Sequence, residues 1–346
     1  MIRTISSLRL ILLLLVSLTF KVHAEWEQKE INGRGYVSVA SIKSNFKFSS
    51  LKQSGNSIIL EDARTRMNLR VGGYECLMNG IKFVFSYPVV QSGGKSWVSR
   101  IDLVKLIHPV LRPTFIDGAG DFRTVVIDPG HGGKDPGATN SLGTEARYNL
   151  QIAKYLKELL EGQKYKVVMT RSDNRYLSLQ QRVDVANAIK ENAIFISIHH
   201  NSGRSAARGI ETFTLSPVGV AHYGRGLKAS DFHANTGNSH DSANVALATA
   251  VHGMLLSQLN DKSGKSYTLD RGIKRARFSV LSGVRHPSIL VECGFMTNPY
   301  EAKLINDSGY QRTLAKLIAG AVGRYRFAVG RKTASSPKAD VKNRTK

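Results

Sequence analysis

The chain has 346 residues, more than the roughly 100 to 200 that one domain usually holds, so we expect two domains. Its 49 lysines and arginines against 26 acidic residues give a formal net charge of +23, which favours association with polyanions. No pattern of a nucleic-acid-binding module occurs, so nucleic acid is not an expected partner. Only Cys76 and Cys293 are present, which excludes a disulfide framework.

Residues 1–24 have the three parts of a signal peptide. Arg3 and Arg9 supply a positive start, and residues 10–20 form an apolar stretch too short to cross a bilayer comfortably. Small residues follow at positions 22–24. We therefore predict export to the periplasm or the cell wall, with no transmembrane segment after cleavage. An uncleaved anchor is the less favoured interpretation. Anionic wall polymers and membrane surfaces are then expected partners of the basic chain, and the alternative is that the charge mainly supports solubility.

Residues 25–118 contain short strand-like pieces at 57–60, 66–71 and 81–85, separated by glycine turns that suit hairpins. Two segments, 35–42 and 96–103, each place an aromatic-Val-Ser strand before a short helix. These features predict a small α+β module, which resembles the copper-amine-oxidase-N-terminal-like, or stalk-type, modules of exported wall proteins. The resemblance implies a wall-targeting role and no copper site. Its single histidine, His108, is interpreted as structural or solvated.

A linker at 112–120 leads into the second predicted domain, residues 119–329, where strands and helices alternate. This order predicts an α/β fold, a mostly parallel sheet with helices on both faces. The predicted strands are 125–127, 166–169, 193–198, 209–215, 278–281 and 288–291, and the predicted helices are 145–161, 178–189, 243–259, 298–305 and 310–325. A basic tail, 330–346, is expected to be disordered.

The most informative stretch is 124–138. Its β-branched strand stops at Asp128-Pro129-Gly130, and His131 follows at once. The glycines fit neither a P-loop, which needs four residues between its glycines, nor a dinucleotide motif, because Pro136 stands where the helix should run. The glycines instead allow the backbone to approach a ligand at the end of the strand.

Four side chains are expected to meet at one edge of this sheet. His131, His199 and Glu292 each stand at the carboxyl end of a predicted strand, and Glu145 begins a helix. Ligand sites of open α/β sheets lie in the crevice at those ends. Two imidazoles and a carboxylate are a typical catalytic zinc set, and a further glutamate can act as the base. This chemistry suits hydrolysis of an amide, and no serine or cysteine nucleophile motif competes with it.

Residues 123–325 resemble the zinc-dependent N-acetylmuramoyl-L-alanine amidases of the amidase 3 family, which remodel peptidoglycan. Six pieces match in the family's order: VVIDPGHGGKDPGA, EARYNLQIAKYLKELLE, TRSDNRYLSLQQRVDVAN, IFISIHHN, ARGIETF and RGIKRARFSVLSGVRHPSILVECGFMTNPYE. The resemblance implies one Zn²⁺ per chain, with His131, Glu145 and His199 as ligands and Glu292 as the catalytic glutamate. It also implies cleavage of the amide between the lactyl group of N-acetylmuramic acid and L-alanine.

The chain departs from the family pattern at three places. His200 follows the ligand histidine, although His199 keeps the Ser-Ile-His register. Cys293 follows the catalytic glutamate and is interpreted as a buried side chain. The stretch 216–241 is long, and we interpret its histidines as solvated: His222, His233 and His240.

Other interpretations of the acidic residues and of the chain remain open. Glu145 can be a first-turn acid favoured by the helix dipole, and Glu292 a carboxylate paired with a neighbour such as Arg271. A secreted zinc peptidase uses similar chemistry on wall peptides. A non-catalytic wall-binding protein would lack a ligand or the base, and neither is missing from this sequence.

Overall fold

The structure is a computed structural model that describes residues 25–259 and 268–335. The predicted signal peptide, residues 1–24, lies outside the described residues. The N-terminal segment is built from short antiparallel strands and short helices. Its strands are β1 (Gln28–Ile31), β2 (Arg34–Ser38), β3 (Ser50–Ser54), β4 (Ser57–Glu61), β5 (Arg66–Arg70), β6 (Glu75–Met78), β7 (Ile81–Val84), β8 (Val90–Ser92) and β9 (Lys95–Ser99), and its helices are α1 (Val39–Phe46), α2 (Arg100–Asp102) and α3 (His108–Leu111).

In the second part, strands and helices alternate as predicted. The strands are β10 (Thr124–Pro129), β11 (Thr139–Asn140), β12 (Gly143–Thr144), β13 (Lys166–Met169), β14 (Ala193–Asn201), β15 (Ile210–Leu215), β16 (Asp270–Ala276) and β17 (Ser288–Phe295). The helices are α4 (Glu145–Gly162), α5 (Leu179–Asn187), α6 (Asp241–Leu259), α7 (Ser279–Gly283), α8 (Pro299–Asn306) and α9 (Ser308–Ser335). None of the helices described is both long and apolar enough to span a membrane.

One large sheet organises the molecule, in the strand order β13-β10-β14-β17-β15-β16-β7-β6-β5-β4-β3. The neighbouring strands β13, β10, β14 and β17 are parallel to one another. The next strand, β15, runs antiparallel to β17. Successive side chains of β10 point to opposite faces, so Val125 and Ile127 join the core under α4, α6 and α9. Val126 joins a second core with α5 and α7. The predicted α/β sheet with helices on both faces is confirmed.

The N-terminal segment continues this sheet. Strand β7 pairs in parallel with β16 at Phe83 and Ile273, and both residues belong to the same buried apolar cluster. Asp270 strengthens the junction: its carboxylate accepts a hydrogen bond from the backbone N–H of Lys82 at 2.8 Å and contacts the buried His252 at 3.0 Å. The sequence predicts a domain boundary near residue 118. The pairing of β7 with β16 joins strands from both sides of this boundary into one sheet.

Two predictions about secondary structure were wrong. Residues 278–281 were expected to form a strand, but α7 occupies this stretch, and the strand of this region is β16, seven residues long. The sequence of β16 contains the basic residues Lys274 and Arg275, which are usually exposed and so do not suggest a buried strand. Here both are buried and make polar contacts. The tail expected to be disordered from residue 330 is helical as far as Ser335; residues 336–346 lie outside the described residues.

Of the two interpretations of His108, structural or solvated, the structure supports the first. It is buried among aromatic rings, with centroids 5.0 Å from Phe46 and 4.3 Å from Phe115. Burial, with a smaller effect from the charge of Arg112, lowers the pKa of His108 to about 4. The folded protein therefore holds this imidazole neutral at pH values where the unfolded chain protonates it.

Acid is accordingly expected to destabilise the protein through His108. As pH falls from the ordinary histidine pKa of 6.5 towards about 4, the unfolded chain binds a proton that the folded chain does not. The free energy of unfolding should fall by up to about 1.4 kcal/mol per pH unit in this window. Urea unfolding at pH 7.5 and pH 4.5 measures this loss, which should be smaller in His108→Phe. The exposed His233→Phe is the control, and equal losses in both variants would contradict the prediction.

Candidate metal centre and catalytic cleft

His131 stands two residues beyond β10, on a loop that folds back on itself. Its backbone has a positive φ of 61°, a conformation that side chains other than glycine adopt rarely. The loop is closed by backbone hydrogen bonds between Gly132 and Asp135. Asp135 also holds the ring, because its Oδ2 lies 2.8 Å from His131 Nδ1. That contact leaves Nε2 as the free ligand atom of His131 and directs it towards Glu145.

Glu145, His131 and His199 form a compact group. The Oε2 atom of Glu145 lies 3.2 Å from His131 Nε2, and its Oε1 atom lies 2.9 Å from His199 Nδ1. Ligand atoms of the three residues all lie within 4.8 Å of one another. In the part of the chain that the structure describes, no other set of histidine, cysteine or acidic side chains comes together in this way. The group can hold one metal ion.

The protonation of this group follows from the same contacts. Burial alone would raise the pKa of Glu145, but hydrogen bonds from the two imidazoles outweigh it and hold the pKa well below its usual range. For His131, burial acts to lower the pKa, while the carboxylates of Glu145 and Asp135 raise it above the ordinary value. Glu145 is thus an anion, 5% exposed, between two imidazoles. Such an anion favours a cation at the same place.

Glu292 lies beside this group on β17. It is the register partner of His199 in the parallel pair of β14 and β17, so the two side chains share one face of the sheet. Burial raises the pKa of Glu292 well above its usual range, and the nearby charges of Glu145 and Glu211 raise it further. Its Oε2 atom is shielded from solvent and has no hydrogen-bond partner among the described residues. A carboxyl group in this state can exchange a proton with a ligand.

These residues line one cleft of about 570 Å³. His131 faces it from the loop after β10, and His199 and Glu292 face it from within β14 and β17, near their carboxyl ends. Tyr176 lines it from the segment before α5, and Leu179 lines it from the start of α5. Its position at the carboxyl ends of parallel strands is the usual place for a ligand in an open α/β sheet.

The glycines predicted to bring backbone close to a ligand instead make room for the ligating side chains. A Cβ atom at Gly130 would lie 2.2 Å from the ring of His199. At Gly137 it would lie 2.5 Å from the carboxylate of Glu145 and 2.7 Å from the ring of His131. The donor set, the close glycine backbone and the unpartnered carboxyl oxygen of Glu292 together fit a catalytic zinc ion.

Several known proteins are similar to the part of the chain that holds this cleft. The profile of the N-acetylmuramoyl-L-alanine amidase family, Amidase_3, matches residues 125–324, more than half of the chain. The chain belongs to this family.

It is 32% identical over 203 residues to the uncharacterized protein YqiI of Bacillus subtilis, covering 59% of this chain and 84% of that one. It is 33% identical over 222 residues to the amidase AmiC of Neisseria meningitidis, covering 58% of this chain and 52% of AmiC, about half of its length. The crystal structure of an N-acetylmuramoyl-L-alanine amidase from Clostridium difficile 630 aligns with 60% of this chain and 97% of its own, at 33% identity and a TM-score of 0.48.

Two buried arginines of this amidase support the His131 loop, and sequence reasoning did not single them out. Arg171 donates hydrogen bonds to the carbonyl oxygens of Pro129 at 2.9 Å and Gly130 at 2.7 Å. Arg182 donates to the carbonyl oxygen of His131 at 2.7 Å and to the buried Asp128 at 2.8 Å. Both lie within the piece TRSDNRYLSLQQRVDVAN, so the family match contained the signal, but arginines usually lie on a surface.

The four other histidines considered above, His200, His222, His233 and His240, are not members of the metal group. His200, the alternative ligand, is buried on the opposite side of β14 from His199, with Nδ1 2.8 Å from Asn149 Oδ1, and burial lowers its pKa to about 4. His233 is exposed as expected, whereas His222 accepts a hydrogen bond from the backbone N–H of Arg277 and His240 contacts two backbone carbonyls. Both are structural rather than solvated.

Gly130→Ala is expected to displace the His199 ring. A contact of 2.2 Å cannot be kept, so the ring must move, and the metal affinity should fall about 10- to 100-fold, as when a partner of a metal ligand is lost. Gly162→Ala is the matched control, because a Cβ atom there meets nothing within 4 Å. Metal content after dialysis, with thermal unfolding of both variants, measures the effect. Equal metal retention would contradict the prediction.

Proposed function

We propose that this amidase cleaves the amide bond between the lactyl group of N-acetylmuramic acid and the L-alanine of the stem peptide. The observation that carries the proposal is that Glu292 lines the same cleft as His131 and His199, which form a compact group with the buried Glu145. The chain that holds this cleft belongs to the N-acetylmuramoyl-L-alanine amidase family. Peptidoglycan is the substrate that the family implies, and residues 1–24 would export the enzyme to it.

We assign one zinc ion per chain to His131, Glu145 and His199. Bound there, zinc lowers the pKa of a water molecule and polarises the carbonyl of the amide. Glu145 compensates the metal charge from a buried position, and Asp135 fixes the ring of His131 so that Nε2 points into the site. The buried hydrogen bonds of Arg171 and Arg182 keep the loop in place.

Glu292 is assigned the proton transfer. Its raised pKa matches the role, since a general base works best when its pKa lies near the operating pH. The carboxylate takes a proton from the attacking water and passes it to the nitrogen of the departing alanine. Glu211 stands opposite Glu292 on β15, but its oxygens contact Lys274 and Arg271, so it is not available for this step.

Digestion of purified sacculi by the zinc-loaded protein tests the proposal. Mass spectrometry should find free stem peptides that begin with L-alanine and glycan strands without peptides, appearing together. The alternative, a zinc peptidase, would release peptide fragments while the muramoyl linkage stays intact, and that result would overturn the assignment of the bond. If folded protein with bound zinc releases no product from sacculi, the alternative of a non-catalytic wall-binding protein would be favoured.

We also propose that residues 25–118 hold the enzyme on the wall. The segment contributes no residue to the metal group, and the net charge of +23 favours contact with anionic wall polymers. This part of the binding should weaken as salt rises, because exposed charges are screened over about 10 Å at 0.1 M salt.

A further inference from the structure

A second cleft, of about 780 Å³, lies between the N-terminal segment and residues 220–227 of the amidase part. It shares no lining residue with the catalytic cleft. The N-terminal side is formed in part by Arg34, Tyr74 and Tyr87, and the opposite side by Tyr223, Leu227 and Arg275. No step of the proposed hydrolysis uses this cleft.

The cleft presents aromatic rings to solvent. Tyr74 is 49% exposed and Tyr223 is 47% exposed, one on each side. The guanidinium of Arg34 stacks on the ring of Tyr87, with its carbon 4.3 Å from the ring centroid. Large exposed apolar surfaces in a concave site mark binding grooves, and a tyrosine adds a polar end to a flat apolar face.

The rings of Tyr87 and Tyr223 are held in place before any ligand arrives. The backbone N–H of Tyr223 donates to the carbonyl oxygen of Arg275 at 2.8 Å, and the ammonium of Lys274 lies 4.5 Å from the centroid of the Tyr223 ring. The hydroxyl of Tyr87 donates to the carbonyl oxygen of Gly219 at 2.5 Å and so joins the two sides. A site that needs no ordering on binding loses little affinity to conformational entropy.

Two guanidinium groups in the cleft have unused hydrogen-bond donors. Among the described residues, the side chain of Arg34 makes no hydrogen bond or ion pair. Arg275 is 4% exposed and donates to Thr214 Oγ1 and to the carbonyl oxygen of Lys105, each at 3.0 Å, but its Nε has no hydrogen-bond partner. This Nε is shielded from solvent, so the exposed guanidinium of Arg34 is the donor that an oxygen-bearing ligand in the cleft can meet.

We propose that this cleft binds the glycan strand of peptidoglycan. The C–H face of a pyranose ring fits the flat faces of Tyr74 and Tyr223, while sugar hydroxyls and the lactyl oxygens accept hydrogen bonds from Arg34. The choice of polymer rests on the proposed function, since the same chain cleaves amides along that strand.

The charges of the cleft favour a glycan over a nucleic acid. A nucleic acid is held mainly by cations that meet successive phosphates. Here Arg225 is occupied by a bidentate ion pair with Asp231, at 2.6 and 2.7 Å, and the lining carboxylate of Glu75 adds negative charge. The cleft therefore offers few free cations but several flat rings.

Calorimetric titration of the full-length protein with peptide-free glycan strands tests the proposal. Such strands contain no amide to the stem peptide, so binding is measured without turnover. Wild-type protein should bind them, and Tyr74→Ala and Arg34→Ala should each bind about tenfold more weakly, as when a binding hot spot is truncated. Both side chains are exposed, so the fold should be kept. Tyr300→Ala, equally exposed at 47% but outside the cleft, should bind like wild type.

A second measurement separates the cleft from the catalytic site. The cleft variants should hydrolyse small soluble muropeptides at the wild-type rate and insoluble sacculi more slowly. The proposal is overturned if wild-type protein does not bind the strands, if both variants bind them as wild type does, or if single-stranded DNA binds more tightly. Because the titration needs no hydrolysis, a failure of the amidase assignment would leave this binding result unchanged.

Discussion

Glu292→Gln is expected to bind zinc as the wild-type protein does and to hydrolyse peptidoglycan roughly 10²- to 10⁴-fold more slowly, the usual contribution of general acid–base catalysis. The amide keeps the shape of the carboxyl group but cannot accept the proton of the attacking water. The shielded Oε2 atom has no partner to lose, so the fold should tolerate the change. Product release from sacculi and metal content are measured on the same preparation.

Glu158→Gln is the matched control, since Glu158 is exposed on α4 and takes no part in the cleft. It should keep wild-type activity. If Glu292→Gln stays within a few-fold of wild type while zinc is bound, another group transfers the proton. If it loses zinc, Glu292 belongs to the metal set and the assignment of Glu145 must be reconsidered.

Removal of the metal is expected to reduce hydrolysis at least as much as Glu292→Gln does. A chelator should abolish hydrolysis, and added Zn²⁺ should restore it. His131→Ala should lose bound zinc and reduce activity by more than about 100-fold. Loss of a residue that only hydrogen-bonds to a metal ligand costs up to about 100-fold, and loss of the ligand itself should cost more. The remaining imidazole and carboxylate cannot complete the three-residue set of a catalytic zinc site.

His233→Ala controls for loss of an exposed histidine, because His233 lies outside the metal group. It should retain zinc and activity. Full activity in chelated protein, verified as metal-free by elemental analysis, would refute the zinc mechanism altogether.

The convergence of the site could be predicted from the sequence because each residue has a local signal. His131 closely follows the apolar strand β10, as predicted, whereas β17 continues past Glu292 to Phe295. Parallel pairing still brings both side chains to one edge of the sheet. Glu145 follows a threonine whose hydroxyl caps the helix, so its place in the first turn was also visible. The geometry places these side chains together, and their roles stay proposals.

The missed features depend on contacts between distant residues. Strand β16 was missed because a buried lysine has no local signal: Lys274 is buried only because Glu211, 63 residues earlier, pairs with it. The pairing of Phe83 with Ile273 was also not predictable, since no local signal links a strand near residue 83 to one almost two hundred residues later. Periodicity predicts elements, whereas a register between distant strands depends on the whole packing.

The junction of β7 with β16 limits how the gene can be shortened. A fragment that begins near Gly120 would leave the backbone groups of β16 without their partner strand and uncover apolar residues such as Ile273. An unpaired apolar edge is a template for association between molecules, and natural sheets avoid it. The isolated amidase part should therefore aggregate on expression, and fusion partners are better attached before residue 25 than inserted at the predicted linker.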